Sequence, residues 1–141
     1  MRELGADDLN YMSTFEKITG IFPSDYFLVG DSLAFLVEPA NLGKAIGKQG
    51  ANIQRLKNLT QKKVFVLAAN EDPVLMAKSF FSNIRIIDVS HQPQPQLLVI
   101  IVDEQDRGFA IGKGGERIKL AKEIFHSKFG LTIELRAKRM M

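Results

Sequence analysis

Apolar residues along this chain recur at two spacings, and the order of the two spacings is the same in both halves. Over residues 8–19, Leu9, Met12, Phe15 and Ile18 fall every third position, which predicts an amphipathic helix. Tyr26-Phe27-Leu28-Val29 and Leu33-Ala34-Phe35-Leu36-Val37 predict two strands, with Gly30-Asp31 as a hairpin turn between them. Ile53, Leu56 and Leu59 form a stripe that predicts a helix over 51–60, and residues 63–67 predict a closing strand. In the second half, Asp72-Pro73 opens a helix to about Asn83, with proline suited to the first helical position. A strand over 84–89 follows, then the connection Gln92-Pro93-Gln94-Pro95 and an apolar strand, Leu98-Val99-Ile100-Ile101-Val102. Ile118, Ala121, Ile124 and Phe125 predict a helix over 116–128. Gly130 then stands at a C-cap position before a last strand over 131–135.

The two halves are copies of one unit. Ile46-Gly47-Lys48-Gln49-Gly50-Ala51-Asn52-Ile53 and Ile111-Gly112-Lys113-Gly114-Gly115-Glu116-Arg117-Ile118 share the pattern Ile-Gly-x-x-Gly-x-x-Ile, and the flanking stretches match as well. Aligned on the glycines, Leu33–Val37 meets Leu98–Val102, and each strand is followed by an acid, Glu38 or Asp103. Asn41 and Asp106 are expected to N-cap a short helix that runs to the glycine loop, where Gly47 and Gly112 stop it. Each copy therefore reads strand, short helix, glycine loop, helix, strand, preceded by a helix and a strand. The second copy is expected to carry two extra residues before its last strand. The expected fold class is α+β, with a three-stranded sheet packed on helices in each of two domains, 1–70 and 71–141. The connection near Asn70-Glu71 is short, so the domains are expected to pack as a fixed pair.

Composition narrows the function. Hydrophobic residues at 45% and charged residues at 25% are ordinary for a globular protein. The longest apolar run, over 97–102, is too short for a membrane span, and Asp7 and Asp8 break any signal pattern. A cytoplasmic protein is expected. With no cysteine, disulfides, thiolate metal sites and cysteine nucleophiles are excluded. His91 and His126 stand in different copies without partner ligands, so neither a metal, a cofactor nor a histidine-based catalytic group is expected. The net charge of +3, with a pI near 9.2, is compatible with a polyanionic partner without identifying one. Any nucleic-acid site must come from local placement of charge.

That placement points to the loops. Glycine lets the backbone turn sharply and lets a phosphate approach without obstruction. A helix that begins just after the loop presents unpaired amides and a positive dipole end to an anion. The segment Gly43-Lys44-Ala45-Ile46-Gly47-Lys48-Gln49 invites comparison with a nucleotide-binding P-loop and fails it. It has three residues between its glycines instead of four, and Gln49 and Gly114 stand where Ser or Thr would hold magnesium. No enzyme and no small-molecule substrate is expected.

Strand, helix, GxxG, helix, strand resembles the KH nucleic-acid-binding domain, and the helix and strand on its N-terminal side resemble the type II arrangement. Two such units over residues 8–136 resemble the NusA-like transcription factors of archaea. The resemblance implies single-stranded RNA binding, on nascent transcripts, in transcription termination or antitermination, with RNA polymerase as a further partner. It implies backbone clamps at Gly47, Lys48, Gln49 and Gly50 and at Gly112, Lys113, Gly114 and Gly115. Lys44, Asn52, Arg55, Arg107 and Arg117 are the flanking candidates for RNA contact, with bases in a groove beside the first helix. Arg136, Lys138 and Arg139 are expected as a loose basic tail. Most of the ten phenylalanines fall on predicted core faces, so recognition is expected to depend little on aromatic platforms. The alternative is a KH-fold ribosome-assembly or protein-interaction module.

Overall fold

Each half of the chain forms one three-stranded sheet in which two strands run antiparallel and two parallel. The computed structural model describes residues 6–139, with side chains from residue 10 onward, so the side chain of Leu9 lies outside the described residues. The chain divides into two units, Met1–Ala69 and Asn70–Met141.

In the first unit, α1 (Ala6–Thr19) leads to β1 (Asp25–Val29) and β2 (Ser32–Val37). The hairpin pairs Val29 with Ser32, and Gly30 takes the left-handed φ of +59° that the two-residue turn requires. A parallel neighbour cannot follow a hairpin; it needs a crossover. Here the crossover is split: a 3₁₀ turn (Pro39–Asn41), α2 (Leu42–Ile46), the glycine loop, and α3 (Ala51–Thr60), then β3 (Lys63–Ala68) beside β2. The loop thus sits at the bend of the crossover. Beneath it, Met12 and Phe15 of α1, Leu33 and Phe35 of β2, Ala45 and Leu56 form one apolar cluster. The Phe15 and Phe35 rings stack with centroids 4.3 Å apart.

The second unit repeats the plan with α4 (Pro73–Phe80), β4 (Ile86–Gln92), β5 (Leu97–Asp103), a 3₁₀ turn (Glu104–Asp106), α5 (Arg107–Ile111), α6 (Glu116–Phe129) and β6 (Thr132–Lys138). Asp72 caps α4 by accepting from the Val74 amide, and Pro73 follows it at the first helical position.

Five expectations need correction. Asn41 and Asp106 do not cap with their side chains, because each helix is preceded by a 3₁₀ turn; in the second unit Asp103 is the side chain that caps that turn, accepting from the Gln105 amide at 3.0 Å. The helix expected to reach Asn83 ends at Phe80. Ile84 closes the following turn with its amide on the Phe81 carbonyl, so β4 starts at Ile86 and takes in His91. The second copy has four extra residues, not two: strand register sets Lys63 and Thr132 at matching places, and α6 is 14 residues long against 10 for α3. Four residues are close to one helical turn, which keeps the buried face in phase. Leu59 does not join the stripe; it is 63% exposed. Finally, Arg136 and Lys138 belong to β6 and not to a loose tail, and Arg139 just beyond lies 3.7 Å from Glu104.

Candidate nucleic-acid interface

The two loops are superimposable in their backbone angles. Gly47 has φ 81° and ψ 166°, and Gly112 has φ 81° and ψ 167°. No residue with a side chain adopts that conformation without strain, and there is no room for one. A Cβ on Gly47 would stand 2.9 Å from the Asn52 side chain and 3.0 Å from its amide nitrogen; on Gly112 it would stand 2.9 Å from the Arg117 amide nitrogen and Cβ. Each of these glycines ends the short helix, its N–H donating to the Gly43 or Gly108 carbonyl. Three residues on, the Gly50 and Gly115 amides donate to the Gly47 and Gly112 carbonyls at 3.1 and 3.0 Å. This closes the loop as a 3₁₀ turn from which α3 or α6 departs.

A further left-handed position lies between the two motif glycines. Gln49 holds φ 56° in the first loop and Gly114 φ 65° in the second. In each loop the two variable residues, Lys48 and Gln49 or Lys113 and Gly114, are exposed. Among the described residues neither Lys48 nor Lys113 makes an ion pair, so both ammonium groups remain available to an anion at the helix start.

Two flanking candidates have a second role. Asn52 and Arg117 are equivalent in the repeat, and each braces its own loop. Asn52 Nδ2 donates to the Lys44 carbonyl at 3.2 Å, and Arg117 Nη1 donates to the Phe109 carbonyl at 3.3 Å. Partial burial lowers the Arg117 pKa, although a guanidinium stays charged in any working buffer. Lys44 lies in α2 with its amine beside Gly20, where a Cβ would be 3.8 Å from Nζ. Its counterpart Phe109 is 70% exposed. Arg55 is exposed on α3, and Arg107 is exposed at the start of α5. Ile46, Ile53, Ile111 and Ile118 are half-buried, spanning core and surface.

The structure also brings together a groove. About 840 Å³ of space lies between α5 and β6, bordered by Arg107, Gly108 and Ile111 on one side and Leu135 and Arg136 on the other, with Glu104 at the rim. Local composition alone places Arg136 in a tail, whereas its membership of β6 depends on pairing with β5. A second signal was in the sequence: from Pro39 to Asn70 there is no acidic residue, while Lys44, Lys48, Arg55, Lys57, Lys62 and Lys63 all fall in that stretch. The net charge of +3 over the whole chain conceals it.

No protein-family model matches this chain. It is 30% identical over 124 residues to the probable transcription termination protein NusA of Methanococcus vannielii, covering 86% of this chain and 72% of that one. The chain belongs to the archaeal NusA-like family. Another NusA-like relative, from Halococcus morrhuae, is 26% identical over 129 residues and is covered for 93% of its length. The transcription termination/antitermination protein NusA of the bacterium Halalkalibacterium halodurans is 25% identical over 100 residues, and the match covers 26% of that longer protein. Among solved structures, the crystal structure of APE1850 is similar across 96% of this chain and all of its own, with a TM-score of 0.78 at 29% identity. The NusA-like likeness thus extends through both units. Among the described residues there is no group of His, Cys, Asp or Glu that could hold a metal ion, and no helix long and apolar enough to cross a membrane.

Proposed function

We propose that this NusA-like chain is a single-stranded-RNA-binding protein of transcription termination or antitermination, built of two tandem type II KH domains whose GxxG loops grip the RNA backbone. The observation that carries the reading is the repeated loop: two glycine turns with the same angles, each with an exposed lysine at the same position and each opening into a helix. Amides at a helix start and a flanking ammonium favour phosphate oxygens, and close backbone approach is possible only because the first glycine has no side chain. KH domains take about four nucleotides on such a loop. The sheet order, with an antiparallel hairpin followed by a parallel third strand, supports the type II form. Two clamps on one chain raise the effective concentration at the second once the first is engaged. Nascent transcript is the expected ligand, and RNA polymerase the expected protein partner, by family membership. No reaction is assigned to the chain.

The test is fluorescence anisotropy with labelled single-stranded RNA at several salt concentrations. It compares the unmodified chain with Lys48→Asp/Gln49→Asp, Lys113→Asp/Gly114→Asp and all four substitutions together, each checked for folding by circular dichroism. Binding should weaken with either pair, weaken further with salt, and vanish with all four. Undiminished binding by the quadruple variant would overturn the two-clamp reading. Absence of RNA binding, with retention on RNA polymerase or ribosomal particles, would make the chain a protein-interaction module.

A further inference from the structure

The two units differ in polarity along the short helix and the last strand, which border the second unit's groove. Strand register sets Arg136 opposite Ile101 and Leu67 opposite Leu36, and the repeat equates Ile101 with Leu36. Leu42 and Leu67 therefore occupy the first unit's positions for Arg107 and Arg136, and Pro39 the position of Glu104. At these three positions the first unit offers aliphatic side chains where the second offers hydrogen-bonding ones. The loops differ in the opposite sense. From Pro39 to the end of α3 the first crossover contains no acid, whereas Glu116 opens α6 directly behind the second loop and offsets part of the positive helix end.

We infer a division of labour: the first unit holds the RNA backbone whatever its sequence, and the second unit's groove reads a base through Arg107, with Arg136 and Glu104 beside it. The base selected is one that presents two adjacent acceptors, guanine through O6 and N7 or cytosine through O2 and N3. This rests on the RNA-binding reading above and adds to it the site and chemistry of sequence selection.

The Arg107 side chain is exposed at the mouth of the groove and makes no hydrogen bond or ion pair among the described residues, while its backbone N–H donates to the Glu104 carbonyl. Its planar fork can donate two parallel bonds, which matches two neighbouring acceptors and nothing else on a base edge. Adenine pairs one acceptor with one donor on its N7 edge, and uracil separates its two carbonyls with an N–H. Neither satisfies the fork. Arg136 is paired with Glu134 on its own strand, which keeps it at the groove wall. Glu104 holds Arg139 at 3.7 Å and can accept from the donor that adjoins the acceptor pair, N1–H of guanine or the 4-amino group of cytosine.

The experiment uses the whole chain and oligouridylate with a single central guanosine, cytidine, adenosine or uridine, read by anisotropy. A good bidentate pair should give roughly tenfold tighter binding to the guanosine or cytidine oligomer than to the adenosine and uridine ones. Replacing guanosine by 7-deazaguanosine, which lacks the N7 acceptor, separates the two sources: a loss assigns guanine, and a cytidine preference without a guanosine one assigns cytosine. Arg107→Lys keeps the charge and abolishes the preference; Arg107→Leu, the first unit's residue, does so too. Lys48→Asp/Gln49→Asp lowers affinity for all four oligomers alike and leaves their ratio. Equal affinity for all four, or a ratio that survives Arg107→Lys, overturns the inference while leaving RNA binding intact. Binding to none of the oligomers at low salt would sink both readings together.

Discussion

The same unit is built twice in this chain, once with glycine at every left-handed position and once without. The second unit has Gly114 at φ 65° and Gly130 at φ 68°; the first has Gln49 at φ 56° and Gln61 at φ 58° in the same places. The motif glycines Gly47 and Gly112, by contrast, do not vary. The difference separates two constraints that a glycine pattern merges. At Gly47 and Gly112 a side chain has neither an allowed conformation nor space, while at positions 49 and 61 only the conformation is unfavourable. At Gln61 the side chain recovers part of the loss, because Nε2 donates to the Asn58 carbonyl at 2.7 Å.

The largest effect expected from this comparison is at the sterically closed positions. Gly47→Ala and Gly112→Ala combine a left-handed alanine with a contact near 2.9 Å against the following helix, and each should destabilise its unit by about 2–4 kcal/mol. Hydrogen exchange resolved by unit would show the loss in α2 and α3 for the first variant and in α5 and α6 for the second. A drop of less than about 1 kcal/mol in either would mean the loop relaxes and that the two kinds of glycine are not distinct.

A smaller pair of changes tests the open positions in both directions. Gln49→Gly should stabilise the first unit by about 1 kcal/mol, and Gly114→Gln should destabilise the second by a similar amount, since nothing lies within 4 Å of a Cβ built on Gly114. Urea denaturation checks both. Equal and opposite shifts would mean that conformation alone sets the cost there. Gln61→Gly should gain less than Gln49→Gly, because the bond to Asn58 is lost with the side chain.

Much of this frame is legible in the sequence, and the failures are of one kind. The repeat, the strands around Phe35 and Ile100, the helix stops at Gly47 and Gly112 and the Asp72-Pro73 start follow from local pattern and turn chemistry. The misplaced features depend on residues distant in sequence or on geometry without a glycine signal. Gln61 ends α3 in a left-handed conformation that glutamine does not announce, so the four-residue difference between α3 and α6 stayed hidden. Leu59 fits the helical spacing, but periodicity does not reveal how far a covering surface extends. For the candidate site, the loops and their lysines could be read directly, whereas Arg136 enters the groove only through strand pairing, and the bracing roles of Asn52 and Arg117 link positions eight residues apart.

The last contrast is electrostatic and should have the smallest effect. Asp106 fits the N-cap pattern as Asn41 does, yet its carboxylate is taken by Arg85, 21 residues earlier. It accepts from the Arg85 backbone amide at 2.9 Å, from Nε at 3.0 Å and from Nη2 at 3.2 Å, while Asp103 lies 3.4 Å from Nη1. The hydrogen bond from the Arg85 side chain, and then that from its amide, hold the Asp106 pKa below the usual aspartate value. Arg85 is raised in turn, first by its bond to Asp106, which matters only in strong alkali. A carboxylate with a depressed native pKa binds fewer protons folded than unfolded. Its stabilisation is therefore complete above the unfolded value, about 3.9, and is lost as pH falls from there through the lower native one. Asn41 has no such titration, so this acid sensitivity should be confined to the second unit, where Arg85 ties the start of β4 to the turn before α5. Hydrogen exchange across that pH range should show β4 and α5 loosening ahead of β1 and α2, and Asp106→Asn should remove the difference. Equal loosening of both units in the unmodified chain would mean that the Arg85 cluster is a surface pair of no consequence, as many exposed ion pairs are.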